Sequence, residues 1–320
     1  MFRHVVFRSR AKYHMPSGKI NDIARLIKDA FYLFRQTDPL ILSSSTAFFA
    51  TFSLSPIFLL LVNLFGLYFT SDKIANKMFG MLASTVGVKA ANEIESIVEN
   101  FMAFETNVWM TIAGALFFVF VSTTLLSIVK ANIHKLWRIR KVYPSVRQQF
   151  RERTTFAALI VMTGLFFLIS LTLDTILAIS LDYLQTIVPA FGIAIIRFLN
   201  AIFSVVTITI WFTVIFRVLP EARVEWEVAF NGAFLTAVLY YIGKFALGKF
   251  LINAQIASIF GASASFAILL LFIFYCSFII YFGAAFTYIY ARFSSKEICA
   301  GKYSHAYEEK IIYSDQQSGA

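Results

Sequence analysis

Six apolar runs, each about 20 residues or longer and separated by polar stretches, constrain this chain more than any other feature. A helix needs about 20 apolar residues to cross bilayer hydrocarbon, whereas a surface helix of a water-soluble domain carries a single apolar stripe. The runs lie near residues 41–69, 108–129, 154–180, 195–218, 228–252 and 265–290. They account for a chain of 320 residues that is 59% hydrophobic and 14% charged. Ordinary globular domains hold roughly 25% charged residues, and a soluble fold this apolar has to expose large greasy patches. The expected fold class is all-α: a polytopic membrane protein of about six transmembrane helices with amphipathic interfacial helices beside them.

The formal net charge of +10 raises nucleic acid as a partner, but charge is read by its distribution. Eight Lys/Arg fall within residues 1–40 and eight more within 130–153, both beside apolar runs. The 70–106 stretch holds three, and the 181–194 and 253–264 stretches hold none. The positive-inside rule therefore predicts both termini in the cytoplasm, with membrane lipids as partners and no nucleic acid.

The chain divides into three regions. Residues 1–40 form a basic cytoplasmic segment in which Ile20, Ile23, Ala24, Ile27, Phe31 and Phe34 recur at helical spacing. That stripe predicts an amphipathic helix ended by Asp38-Pro39, either lying in the membrane interface or packed on other helices. Residues 41–291 form the six-span domain, including an acid-leaning outer segment at 70–106 and the inner basic loop at 130–153. Residues 292–320 form a charge-balanced cytoplasmic tail. The first 40 residues show no signal-peptide pattern, so the first span is expected to act as its own insertion signal. Two cysteines, Cys276 and Cys299, offer neither a disulfide framework nor metal spacing, and no cofactor is expected.

Charged residues inside spans are costly and usually face a cavity or a partner. Four stand out: Asp174, Arg197, Lys244 and Lys249. Lys244 lies about 16 residues, roughly 24 Å, along the fifth run, and all four fall in the outer half of the membrane. They predict an outward-facing, net-cationic cavity, with Tyr240 a further candidate for its lining. The opposing reading has Arg197 and Lys249 snorkelling to the outer headgroups while Asp174 pairs with Lys244 for structure. Pro56 removes a backbone hydrogen bond from the first run and predicts a kink there. Gly243 allows either close helix approach or gating.

Four blocks carry a family resemblance. They are Ala47-Phe-Phe-Ala-Thr-Phe-Ser-Leu-Ser-Pro56, then Asn132-Ile-His-Lys-Leu-Trp137-Arg138, then Leu219-Pro-Glu-Ala-Arg-Val-Glu-Trp226 with Gly232-Ala-Phe-Leu-Thr-Ala237 and Gly243-Lys244, and Tyr281-Phe-Gly-Ala-Ala-Phe-Thr287. In order and spread over about residues 25–291, the pattern resembles the YihY/BrkB family of inner-membrane proteins. The resemblance implies a multi-pass protein of the bacterial cytoplasmic membrane. It also implies a link to serum resistance or to the movement of lipid or lipopolysaccharide intermediates; the family's former label, ribonuclease BN, is regarded as misassigned. Where the family reads Gly-Ala-Glu-Phe, this chain has Gly283-Ala284-Ala285-Phe286, so a role carried by that glutamate is absent at Ala285.

Three functions compete. The leading one is a transporter or flippase-like protein for an anionic amphiphile. The second is a membrane scaffold acting through the outer 70–106 segment, near Ile94 and Ile97. The third, a membrane-bound hydrolase or ribonuclease, is the weakest, because His4, His14, His134 and His305 are scattered and no acid pair stands at ligand spacing. The chain is read as not an enzyme. A small-residue face left free by six spans leaves a homo-oligomer open.

Overall fold

The computed structural model describes the backbone of residues 19–66, 108–141, 146–187, 192–253, 264–301 and 304–307, with scattered positions between 79 and 96. Most of the outer 70–106 segment, Ile97 included, lies outside the described residues. Helix α1 spans Lys19–Gln36 and α2 Pro39–Gly66. Helix α3, Val108–Leu136, leads into a short strand β1, Ile139–Lys141. Then come α4 at Val146–Ile187, α5 at Gly192–Val218, α6 at Trp226–Asn253 and α7 at Ala264–Phe293. Strand β2, Ser304–Ala306, closes the described chain.

Among the described residues, three segments are long and apolar enough to cross a membrane by length and composition: Ala201–Val218, Trp226–Ala246 and Phe266–Phe293. Only 22% of the first is buried inside the protein, 39% of the second and 33% of the third. Ile202, Val206 and Ile210 form an exposed stripe on α5, and Phe230, Phe234 and Phe245 do the same on α6. Water makes such surfaces costly, whereas lipid matches them. The molecule is a helical membrane protein.

Helix α7 is the centre of the bundle, packed against α1, α2, α3 and α6. Its contact with α6 rests on a reciprocal arrangement. A Cβ on Gly232 of α6 would strike the Thr287 side chain, and a Cβ on Gly283 of α7 would strike Thr236. Each threonine turns its hydroxyl back on its own helix, Thr236 to Gly232 O at 2.8 Å and Thr287 to Gly283 O at 2.7 Å. Two Gly-xxx-Thr faces thus interlock, the small-residue solution to helix association in lipid. Ala284 and Ala285 lie beside this crossing, both fully buried.

Helix α1 ends where Asp38-Pro39 predicts. Asp38 takes a left-handed conformation (φ 54°), and Pro39 opens α2, where its fixed φ suits the first helical position. The packing of α1 differs from the expected stripe. Leu26, Ala30, Leu33 and Phe34 are buried, with Phe34 edge-on to Phe278 of α7 at 4.8 Å, whereas Ile23, Ile27 and Phe31 stay exposed. The helix therefore carries one broad apolar arc, part of it spent on α7 and part turned outward.

Two further differences concern the basic loop and the tail. Much of the 130–153 stretch is helical: α3 runs on to Leu136, and α4 begins at Val146, taking up residues expected in a loop. At 42 residues α4 is roughly 63 Å long, about twice a hydrocarbon core, so its charged first turns project beyond the apolar part. The tail returns to pair β2 antiparallel with β1, matching Ile139 to Ala306 and Lys141 to Ser304. An all-α fold thus gains one two-stranded ribbon, which local hydrophobic pattern cannot reveal because its partners lie more than 150 residues apart. Helix α2 is helical across Pro56, whose side chain lies outside the described residues.

Candidate functional site

Three of the sequence blocks that carry the family pattern, Asn132–Arg138, Leu219–Trp226 and Tyr281–Thr287, meet near the end of the bundle where α3 finishes and α4 begins. Each polar residue of the Asn132–Trp137 block reaches a different part of the fold. Asn132 Nδ2 donates to Leu42 O of α2 at 3.2 Å and to the Tyr281 hydroxyl of α7 at 3.0 Å. Thr46 completes this buried group through a hydrogen bond with Tyr281. His134 Nε2 donates to Pro220 O at 2.5 Å, and Trp137 Nε1 donates to Ala284 O at 2.8 Å. These residues clamp α3 to α2, to the α5–α6 turn and to α7.

The Leu219–Trp226 turn is the second hub. Leu219 and Val224 bury their side chains, and Glu221 takes φ 48°, which turns the chain after α5. Arg217 donates to Val224 O and lies 4.3 Å from the centre of the Trp226 ring, a cation–π contact. Arg223 and Cys299 exchange backbone hydrogen bonds at 2.9 and 3.3 Å, pinning the tail to this turn. A Cβ on Gly301 would strike the Glu221 carbonyl, so only glycine fits where the tail crosses. Lys296 pairs with Glu225 at 3.1 Å and with Glu227. Hydrogen bonds to Glu227 and then Glu225 raise the Lys296 pKa above its ordinary value.

Between these hubs lies a buried charge. The Lys130 side chain is 3% exposed and bridges Glu221 at 2.7 Å and Glu152 of α4 at 3.0 Å. Burying a lysine is costly unless it is paired, and two carboxylates meet that need. Its ammonium also sits 5.7 Å from the Phe156 ring centre.

Beside Lys130 opens a cavity of about 660 Å³, within the range of small-molecule sites. Lys130, Lys135, Arg140 and Arg153 line it against a single carboxylate, Glu152. Tyr307 of the tail closes one side, held by its amide to Arg138 O at 2.9 Å. Lys135 is steadied by Thr37 O at 3.3 Å, and Arg153 lies over the Phe120 ring. The arrangement suits an anion carrying several acceptor oxygens, with the rings of Phe156 and Tyr307 offering apolar contact. Among the described residues, no three His, Cys, Asp or Glu side chains gather as metal ligands would.

The residues expected to line an outer cavity divide between described and undescribed side chains. Lys244 is half-buried on α6, next to Gly243, which is buried against the Tyr275 ring of α7. Tyr275 in turn donates to Leu239 O at 2.8 Å, so Gly243 serves a close helix approach. Tyr240 is half-buried on the same helix. Asp174 lies on α4, Arg197 on α5 and Lys249 on α6, and their side chains lie outside the described residues. Sequence reasoning missed the Lys130 cluster; a lysine directly after an apolar run reads as a membrane flank.

The fold and this site define a membrane-embedded helical protein with a basic pocket at one end. Over residues 30–304 the chain matches the virulence factor BrkB family, and it belongs to that family. It is 23% identical over 247 residues to a UPF0761 membrane protein of Saccharophagus degradans, covering 76% of this chain and 54% of the relative. A UPF0761 membrane protein of Stenotrophomonas maltophilia is 25% identical over 259 residues, covering 78% of this chain and 57% of that protein. The chain thus spans little more than half the length of these curated relatives. No solved structure matches it.

Proposed function

We propose that this chain is a six-span protein of the bacterial cytoplasmic membrane, with both ends in the cytoplasm, that moves an anionic amphiphile between leaflets. The observation that carries the reading is the basic cavity beside Lys130, open at the end where the positive-inside rule puts the cytoplasm. Lys130 is offset by Glu152 and Glu221 and Lys135 lies 3.8 Å from Asp38, so Arg140 and Arg153 carry the surplus positive charge that favours a phosphate-bearing headgroup, and the flanking exposed apolar helix surfaces suit its acyl chains. The second station is an outer polar group that the sequence assigns to Lys244, Asp174, Arg197, Lys249 and Tyr240, toward which a headgroup crosses. Buried Ala285 stands where the family pattern has a glutamate, so this reading assigns no proton coupling to that position.

A scaffold acting through the outer segment gains little by comparison. Ile94, one of the side chains such a partner would grip, is 2% exposed and turned inward.

The test is translocation of head-labelled phosphatidylglycerol in proteoliposomes, read by chemical quenching of the outer leaflet. Wild-type protein is expected to expose lipid from both leaflets, and Lys244→Ala and Arg153→Gln to abolish the gain. Equal rates for wild-type protein and empty vesicles would remove the transport reading.

A further inference from the structure

The same cavity contains a contradiction if it serves only to bind an anion: its best-buried cation is already occupied. Lys130 is 3% exposed and holds two carboxylates. They differ in setting. Glu221 belongs to the turn pinned by Arg223, Cys299 and Gly301, with its side chain 32% exposed, whereas Glu152 is 14% exposed and belongs to the projecting first turns of α4. Glu152 also lines the cavity; Glu221 does not.

We propose that Glu152 is a displaceable stand-in for the ligand: a phosphate-bearing headgroup entering the cavity takes its place on Lys130. Glu221 stays paired with Lys130 throughout, so the lysine is never left buried without a carboxylate. Releasing Glu152 loosens α4 from α3 at this end, which couples headgroup occupancy to the position of the longest helix among the described residues. The inference rests on the proposed anionic ligand and adds a competition that gates its site.

The charges require this order. A phosphate cannot approach Lys130 with Glu152 in place without meeting a carboxylate 3.0 Å from the ammonium it seeks. Arg153, one residue along and lining the same space, moves with α4 and can hold either the displaced carboxylate or the incoming phosphate. Neutralising Glu152 therefore favours binding, whereas an acid that belonged to the recognition surface would weaken binding when neutralised.

The experiment uses the full chain in neutral detergent and in nanodiscs, as wild type, Glu152→Gln and Arg140→Gln/Arg153→Gln. Inorganic phosphate binding is measured by calorimetry, and retention of phosphatidylglycerol against phosphatidylcholine by native mass spectrometry. Glu152→Gln is expected to tighten anion binding by about tenfold, and the double arginine variant to weaken it by a similar factor. Tightening for phosphatidylglycerol alone identifies a lipid headgroup, and equal tightening for free phosphate identifies a soluble phosphate; both support the exchange. Unchanged or weaker binding by Glu152→Gln that melts as a folded protein overturns it, as does no anion binding by any variant. Spin labels at Leu40→Cys and Phe150→Cys, with Cys276 and Cys299 replaced by serine, read the helix itself. Their distance distribution is expected to broaden or lengthen on ligand addition, and an unchanged distribution contradicts the release of α4. Binding that tightens while lipid translocation stays absent removes transport and leaves the exchange standing, so the two failures are distinguishable.

Discussion

Single side chains at the basic end do the work of several loops. Trp137 is 2% exposed, and its indole N–H reaches a carbonyl on α7, tying the end of α3 to the centre of the bundle. Trp137→Phe keeps most of the buried area and removes that one bond, so a loss of about 1 kcal/mol is expected. The check is thermal unfolding in detergent, where a melting temperature lower by roughly 2–4 °C fits and no change contradicts the role. Lys130→Met is expected to cost more, about 3–5 kcal/mol, because two carboxylates then lose their cation. The Asn132–Trp137 block stood out in the sequence, but its partners did not. Nothing near Lys130 in the chain indicates that Glu152 and Glu221 converge on it, because that geometry depends on how three helices end. Conversely, Asp174, Arg197 and Lys249 are legible by composition alone, since charge inside an apolar run is conspicuous wherever the side chain points.

Among the elements, the α6–α7 crossing offers the sharpest test of packing. Gly283→Ala places a methyl where the Thr236 side chain sits, so the helices must separate or Thr236 must turn. A loss of about 1–3 kcal/mol is expected, with partial recovery in Gly283→Ala/Thr236→Ala, read as coupling in a double-mutant cycle. Simple additivity would show that the two residues do not meet. The tail offers a second test through Lys296. The raised Lys296 pKa and the lowered Glu227 pKa mean the tether is fully formed between the ordinary values of 4.5 and 10.5, and is lost as pH rises through the higher folded lysine value or falls through the lower folded carboxylate value. Salt-bridge release therefore plays no part near neutrality. Lys296→Met is expected to quicken proteolytic nicking between residues 294 and 301 at pH 7, and unchanged cleavage would leave the backbone pairing with Arg223 as the sole tether. Helix existence was readable from apolar runs, and the α1–α2 boundary from Asp38-Pro39. The face of α1 was not: Ile23, Ile27 and Phe31 share its apolar arc with Leu26, Ala30 and Phe34, and only α7 decides which of them is covered. The β1–β2 ribbon was invisible for a similar reason, since three-residue strands carry no pattern of their own.

For the whole molecule, membrane residence follows from long apolar segments that the bundle leaves mostly unburied. The orientation has a native reporter. Cys299 is exposed in the pinned part of the tail, whereas Cys276 sits within the Phe266–Phe293 segment. In intact cells a membrane-impermeant maleimide is expected to leave Cys299 unmodified, and in inverted vesicles to label it. Labelling from outside would reverse the topology and move the basic cavity to the opposite face. The central claim is that this cavity receives an anionic headgroup, and the most direct measurement is an electron cryomicroscopy structure in nanodiscs rich in phosphatidylglycerol. The expected result is an elongated density with its headgroup among Lys130, Lys135 and Arg153, and with Glu152 drawn away from Lys130. An empty cavity with Lys130 still closed on both glutamates, in a protein surrounded by anionic lipid, would contradict it.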